Sequence, residues 1–373
     1  MGLAIKMMAL LMNLIYAVIK FVVPTREEVV LISRQSNIPS LDFQLLNEEL
    51  SHRGAKTIML CKTLDKSILG AISYGFHMLR QMYHVAGAQV LIIDGYCIVA
   101  SMLKHKKALT IIQIWHSMGS MKEFGYTAMG KEEGASFKLA KAMRMHRNYD
   151  YVMISSEAYR MDMARGFDCD AHKIRIYPLP RVDLLTGKKP YEGEIRSKIY
   201  KRYEQLQNKE NILYCPTFRK GDESKLEVAL NSLIKEIDFE SYNFIVKLHP
   251  LSQISITDSR VIIAQEFSTF DMIFVADYVI SDYSCVVYEA AVRNIPLYFF
   301  AFDLEKYEKS RGLAIDYSAE CPGPISPDAR QIMDAIESRE YNWKALKLFA
   351  DKYVQPTEHA TEAMTDFILT ATR

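Results

Sequence analysis

The sequence predicts an α/β protein with two Rossmann-like domains facing a cleft, preceded by an N-terminal membrane-interface helix. Three observations predict it. Short apolar runs alternate with helix-like segments along most of the chain, the pattern of doubly wound parallel sheets. A stretch rich in Pro, Gly and Lys, Pro178 to Pro190, divides that alternation into halves of similar size. Polar residues with chemical potential fall just after the apolar runs, where open α/β sheets bind ligands. A chain of 373 residues is long enough for about two domains. The boundaries read as a helix at 1–23, an acceptor-side domain at 24–185 and a nucleotide-side domain at 186–373.

Each element has its own reason. Val29–Ser33, Thr57–Leu60, Val90–Ile93, Thr110–Trp115, Tyr151–Ile154 and Ile174–Tyr177 are short, apolar and partly β-branched, as buried strands are. Leu41–Arg53, Ser67–Tyr83, Gly134–Arg147 and Glu157–Arg165 read as the helices between them. After the linker, Ile212–Tyr214, Phe244–Val246, Val261–Ile263, Tyr278–Ile280 and Leu297–Phe300 read as strands, and Ser338–Arg373 as mostly helix. Met7 to Val23 is strongly apolar, yet short for a span and interrupted by Lys20. No small-residue cleavage site follows it. Lys6, Asn13 and Lys20 recur every seven residues and share one helical face. This predicts a helix lying in the membrane interface with its lysines at anionic headgroups; a buried core helix is the other reading. Lys104-His105-Lys106-Lys107 adds a basic cluster.

Composition excludes several classes. With 49% hydrophobic residues, 24% charged residues and a net charge of +1, the chain has no electrostatic case for nucleic acid. Six scattered cysteines without a CxxC pair argue against a zinc site or disulfide framework and fit a reducing compartment. No GxxxxGK loop is present, nor GxGxxG after a strand, GxSxG or HExxH. Asp168-Cys169-Asp170 has metal-binding spacing but falls in a polar turn. The expectation is no cofactor and no required metal.

The most informative stretch is Ala276 to Pro296. Tyr278-Val279-Ile280 is a strand, Ser281-Asp282-Tyr283-Ser284 a polar turn, and Cys285 to Arg293 a helix. A helix N-terminus beyond a parallel strand favours anions, and Glu289, one turn on, can accept hydrogen bonds from ribose hydroxyls. Strand, turn, helix and carboxylate suit a nucleotide diphosphate, although a plain βα unit has the same outline. His116 ends one strand and His249 another, one in each half; Thr217 and Arg219 end a third, and Arg181 sits at the junction. A base on one side of a cleft and a phosphate site on the other can transfer a group from a nucleotide to a hydroxyl.

Seven pieces in order resemble a known family. They are Ile114-Trp115-His116-Ser117-Met118-Gly119-Ser120-Met121-Lys122-Glu123-Phe124-Gly125, Pro180-Arg181-Val182-Asp183, Tyr214-Cys215-Pro216-Thr217-Phe218-Arg219, Val246-Lys247-Leu248-His249-Pro250, Ser281-Asp282-Tyr283-Ser284, Asp303 to Gly312, and Cys321-Pro322-Gly323-Pro324-Ile325. Together they resemble the CDP-glycerol glycerophosphotransferases of teichoic acid synthesis, most of all the glycerol-phosphate primase branch. The resemblance implies a glycosyltransferase-B-like fold, peripheral on the cytoplasmic membrane face. It implies a CDP-glycerol donor and a polyprenyl-linked disaccharide acceptor. His116 would be the general base and His249 would stabilise phosphoryl charge. Ser117, Met118, Gly119 and Ser120 would reach the donor's glycerol phosphate. Arg181, Pro216, Thr217, Arg219 and Lys247 would surround the donor, with Ser284, Cys285 and Glu289 on its pyrophosphate and ribose side. The chain departs from the family form at Ser117-Met118-Gly119, commonly Gly-Thr-Pro, and at Cys285, commonly a second serine. Ribitol transfer, polymerisation, a nucleotide-sugar glycosyltransferase and a non-catalytic nucleotide-binding scaffold are the alternatives.

Overall fold

The computed structural model describes residues 2–371 except 66, 135, 222 and 358. Met1, Thr372 and Arg373, the outermost residues of the two terminal helix expectations, lie outside the described residues. The first sheet contains β1 (Glu28–Ser33), β2 (Lys56–Cys61), β3 (Val90–Ile93), β4 (Thr110–Gln113), β5 (Tyr151–Ile154) and β6 (Ile174–Ile176). Its order is β2-β1-β3-β4-β5-β6. The second contains β7 (Glu210–Cys215), β8 (Tyr242–Val246), β9 (Val261–Ile262), β10 (Tyr278–Ser281), β11 (Leu297–Phe300) and β12 (Ile325–Ser326), in the order β12-β11-β10-β7-β8-β9. All pairings in both sheets are parallel. Strands such as β1, β3 and β8 are buried along their whole length, which explains runs that are apolar rather than alternating. The strand order reverses once in each sheet, between β1 and β3 and between β7 and β10, and such switch points open crevices at the strands' carboxyl ends.

The halves are tied together at several points. Residues 121–123 run antiparallel to 312–314, with Glu123 N–H donating to the Gly312 carbonyl (3.1 Å) and Ala314 N–H to Met121 (3.0 Å). The helices Trp343–Tyr353 and Ala360–Thr370 return from the second sheet toward the first. Gln355 N–H donates to the Ser155 carbonyl, and Phe367 packs on Tyr151 and Tyr177. The 178–190 stretch holds a short buried helix, Val182–Leu185. Asp183 there accepts from Ala360 and Thr361 N–H, capping the last helix.

Two expectations change and one element is new. The helix read over Gly134–Arg147 shortens to Phe137–Ala142, because Arg144, His146 and Asn148 adopt left-handed backbone that an α-helix excludes. The N-terminal helix, Gly2–Val22, turns part of its polar stripe toward the protein. Asn13 bonds the Met102 carbonyl and Lys104 N–H, and Lys20 bonds the Lys104 carbonyl, while Tyr16 is buried. The outward face is apolar instead, with Leu10, Leu14, Val18 and Phe21 exposed. Finally, Ile325–Ser326 forms an edge strand too short to read as one.

Candidate functional site

Loops leaving β4 and β10 meet across a cleft of about 430 Å³. It gathers Trp115, His116, Ser117, Gly119, Ser120 and Lys122 from the first half, and Ser284, Cys285, Glu289 and Arg311 from the second. The approach is close: Cys285 Sγ lies 3.5 Å from the Gly119 carbonyl. A Cβ on residue 119 would sit 2.5 Å from the Tyr288 ring, so this loop can lie against the helix Val286–Val292 only with glycine there.

His116 is set by its backbone. Trp115 takes φ +60°, a rare conformation for a bulky residue, which turns the chain abruptly after β4. Gln113 accepts the Trp115 N–H, and Phe124 and Phe167 pack on the indole. The His116 ring lies 3.1 Å, through Nδ1, from the Asp94 carbonyl. The Gln35 side-chain amide also reaches Nδ1, at 3.5 Å, but the Asp94 carbonyl is the nearer partner and a carbonyl only accepts, so Nδ1 carries the proton and the neutral ring leaves Nε2 as the acceptor. Burial lowers the His116 pKa, and Arg181 and Lys122 lower it further. Beside it the Asp94 carboxyl, buried after β3, is pushed up to about 6.

His249 has the opposite tautomer. Its Nδ1 accepts the Leu251 N–H at 3.1 Å, so the neutral ring carries its proton on Nε2. It stacks on Phe218 and lines a separate cavity of about 490 Å³ with Lys247 and Gln265. Burial lowers its pKa too, and Lys122 adds to that. Lys122 therefore acts on both imidazoles.

The β10 turn is organised by Asp282, which is fully buried. Its Oδ1 accepts Thr217 N–H and Tyr283 N–H, and its Oδ2 accepts Arg219 Nη2. Arg219 also bonds Asp303 and lies over the rings of Tyr283, Phe302 and Tyr307. Its guanidinium is consumed by this network. Thr217 and Pro216 are buried behind the turn, and Met118 is core, its carbonyl accepting the Tyr159 hydroxyl. Lys247 donates to the Ala264 and Phe267 carbonyls. Ser117 and Ser120 hydroxyls satisfy the carbonyls of Gly119 and Lys122 within their own loop.

Arg181 joins the two halves. Its Nε (2.9 Å) and Nη2 bond Asp42 Oδ2, its N–H bonds Asp42 Oδ1 (3.0 Å), and Nη1 bonds Glu289 Oε1 (2.7 Å). Burial works against its charge, but Asp42 and Glu289 more than offset it, and the pKa is raised. Burial raises the Glu289 pKa although Arg181 pulls it back. Of the cations, those lining the cleft without an ion pair among the described residues are Lys122 and Arg311, the latter donating to the Glu133 carbonyl. Sequence reasoning quoted both within motifs and assigned neither a role. The signal existed, since Lys122 stands in the loop that carries His116. Among the described residues no cluster of three or more His, Cys, Asp or Glu is placed for a metal. Asp168 of the acidic triplet pairs with Arg147 outside the cleft.

A family profile described as CDP-glycerol:poly(glycerophosphate) glycerophosphotransferase matches residues 15–369. The chain belongs to this family. Among its glycerophosphotransferase-family relatives, a teichoic acid ribitol-phosphate primase of Bacillus spizizenii is 29% identical, covering 95% of this chain and 94% of that protein. A teichoic acid glycerol-phosphate primase of Bacillus subtilis is 28% identical over 74% of this chain and 72% of its own. A B. spizizenii poly(ribitol-phosphate) polymerase is 30% identical, and the match spans about half of it, 48%. The fold is that of the wall teichoic acid polymerase TagF, with a TM-score of 0.75 and 17% identity over 100% of this chain and 97% of that one. Staphylococcus aureus MnaA with UDP scores 0.59 at 11% identity, over 92% and 96%. The glycosyltransferase-B-like arrangement expected from sequence is the one observed.

Proposed function

We propose that this glycerophosphotransferase-family protein moves a polyol phosphate from a CDP-polyol to a hydroxyl of a polyprenyl-diphosphate-linked disaccharide, at the cytoplasmic membrane face. The observation that carries the reading is the cleft in which His116 meets Ser284, Glu289, Lys122 and Arg311 from the two halves. His116 Nε2 is an acceptor and His249 Nε2 a donor. In this mechanism the acceptor oxygen attacks the phosphorus bearing the polyol and its proton goes to His116 Nε2. The bond to the CMP phosphate oxygen breaks, and CMP leaves with the electron pair. His249, Lys122 and Arg311 meet the charge growing on the phosphoryl oxygens. Ser284 and Glu289, which line the cleft, would take its nucleotide side, with Arg181 and Arg219 as struts behind it.

CDP-glycerol is the donor that the sequence motifs favour. One observation favours CDP-ribitol as a second reading: the ribitol-phosphate primase matches 95% of the chain, the glycerol-phosphate primases less. The test is purified full-length protein with a synthetic lipid-linked disaccharide, offered CDP-glycerol, CDP-ribitol or UDP-sugars, with product masses read. One added polyol phosphate supports the proposal and names the donor. Turnover of a UDP-sugar alone, or donor binding with no product, overturns it.

A further inference from the structure

A groove of about 750 Å³ lies between the N-terminal helix and the segment 138–144, and shares no lining residue with the cleft. Five cations border it: Lys6, Lys104, Lys138, Lys141 and Arg144. No carboxylate lines it, and none of the five forms an ion pair among the described residues. A concentration of five like charges is self-repulsive in the isolated protein, so it favours an anionic occupant. The floor is apolar, with Ile5, Ala9, Met102 and Ala142. Two groove residues are also open to solvent, Leu10 at 64% and Leu139 at 37%, so the cationic groove opens onto an apolar surface. That surface continues along the helix in Leu11, Leu14 and Val18. It is taken up on the neighbouring helix Ile68–Gly87 by Leu69, Ile72 and Phe76, which are spaced to share a face.

We propose that this groove binds the phosphate headgroup of an anionic membrane lipid, its chains lying against the exposed leucines. Charge complementarity and continuity with the apolar face select a lipid over a soluble anion: a free phosphate would use the cations and leave the apolar floor and rim idle. The geometry also assigns the lysines differently from a simple amphipathic helix. Lys6 is on the helix, but Lys104, Lys138, Lys141 and Arg144 come from other segments, so headgroup binding requires the folded domain and not the helix alone.

The test is co-sedimentation of the full chain with vesicles of pure phosphatidylcholine and of phosphatidylcholine with 30 mol% phosphatidylglycerol (about a third, chosen for a strong surface potential). Lys138→Gln, Lys141→Gln and Arg144→Gln are combined in one variant. Lys201→Gln, Lys235→Gln and Lys344→Gln, on the second half, form the control. The groove variant should lose affinity for the anionic vesicles by roughly fivefold per cation, on the order of 100-fold in all. Binding to neutral vesicles and to CDP-glycerol should be unchanged, and the control should bind as wild type. Equal losses in both variants would reduce the effect to general charge and overturn the groove. So would wild-type binding by the groove variant. Competition by soluble glycerol phosphate at micromolar concentration would show a free-anion site and overturn the lipid assignment.

Discussion

Arg181→Ala removes a cation held between two carboxylates that come from different halves of the molecule. Asp42 is 2% exposed and Glu289 12% exposed, so water cannot replace the guanidinium fully. Asp42 Oδ2 loses two N–H partners; Oδ1 keeps the backbone N–H of residue 181. Glu289 has a raised pKa already and takes up a proton once its cation is gone, which limits its share of the cost. Breaking a buried pair by deleting one partner costs about 3–5 kcal/mol, and the partial relief at Glu289 places this variant near the lower end. That is a large part of a typical total of about 5–15 kcal/mol. Urea unfolding should show it, and the deficit should grow as pH rises from 5 to 8. Orphaned buried carboxylates bind protons more tightly folded than unfolded, so raising the pH works against the folded state. A neutral triad, Arg181→Met with Asp42→Asn and Glu289→Gln, should recover most of the loss. If Arg181→Ala unfolds like wild type but no longer binds CDP-polyol, Arg181 is a donor ligand and the strut assignment fails.

Other outcomes follow from the same geometry. His116→Ala should lower turnover about 100-fold or more with donor affinity little changed, and the acid limb of the wild-type kcat profile should lie below pH 6.5, because the folded-state pKa is lowered; a limb above 6.5 would contradict the environment described for it. Lys122→Met should weaken donor binding roughly tenfold, the scale of a charge-assisted hydrogen bond, and move that acid limb upward; unchanged affinity and profile would remove Lys122 from the site. His146 is buried against Tyr149 and Phe167, and burial depresses its pKa to about 4. The unfolded chain therefore binds a proton first as pH falls. Its contribution to stability is complete above about 6.5 and is lost toward pH 4, by roughly 3 kcal/mol. Urea midpoints of His146→Leu should lose that part of the acid dependence, and an unaltered slope would refute it.

The strands were legible because a strand buried on both faces must be an apolar run, and its short length and β-branched residues separate it from a buried helix. The 134–147 helix was overread because periodicity reports which side chains are apolar and is blind to the left-handed backbone at Arg144 and His146. The heptad of Lys6, Asn13 and Lys20 defined a helix face correctly, but a period does not say whether protein or membrane lies opposite it. Asn13 and Lys20 went to the Met102–Lys104 backbone. The same limit governs the site. Sequence shows which residues are cations and where the strands end. It does not show that Arg181, Arg219 and Lys247 already have partners, nor that Lys122 and Arg311 lack an ion pair among the described residues, because those partners are set by long-range packing.

The way the two imidazoles are oriented bears on how such a site can work near neutral pH. A histidine base held by a carboxylate gains basicity and is drawn toward the protonated form. His116 is held by a peptide carbonyl, and His249 by a peptide N–H, neither of which titrates. Each contact favours one tautomer, and burial and Lys122 both favour the neutral ring. In the proposed mechanism this gives a weaker base held in the accepting form in the cleft and, in its own cavity, an imidazole held in the donating form. For phosphoryl transfer this exchange is favourable. Proton removal is late and undemanding in a loose transition state, whereas correct orientation is needed at every encounter. The strain at Trp115 fits the same logic. About 1–3 kcal/mol of unfavourable backbone is held by the packing of Phe124 and Phe167, so that the ring after it points into the cleft before any substrate arrives.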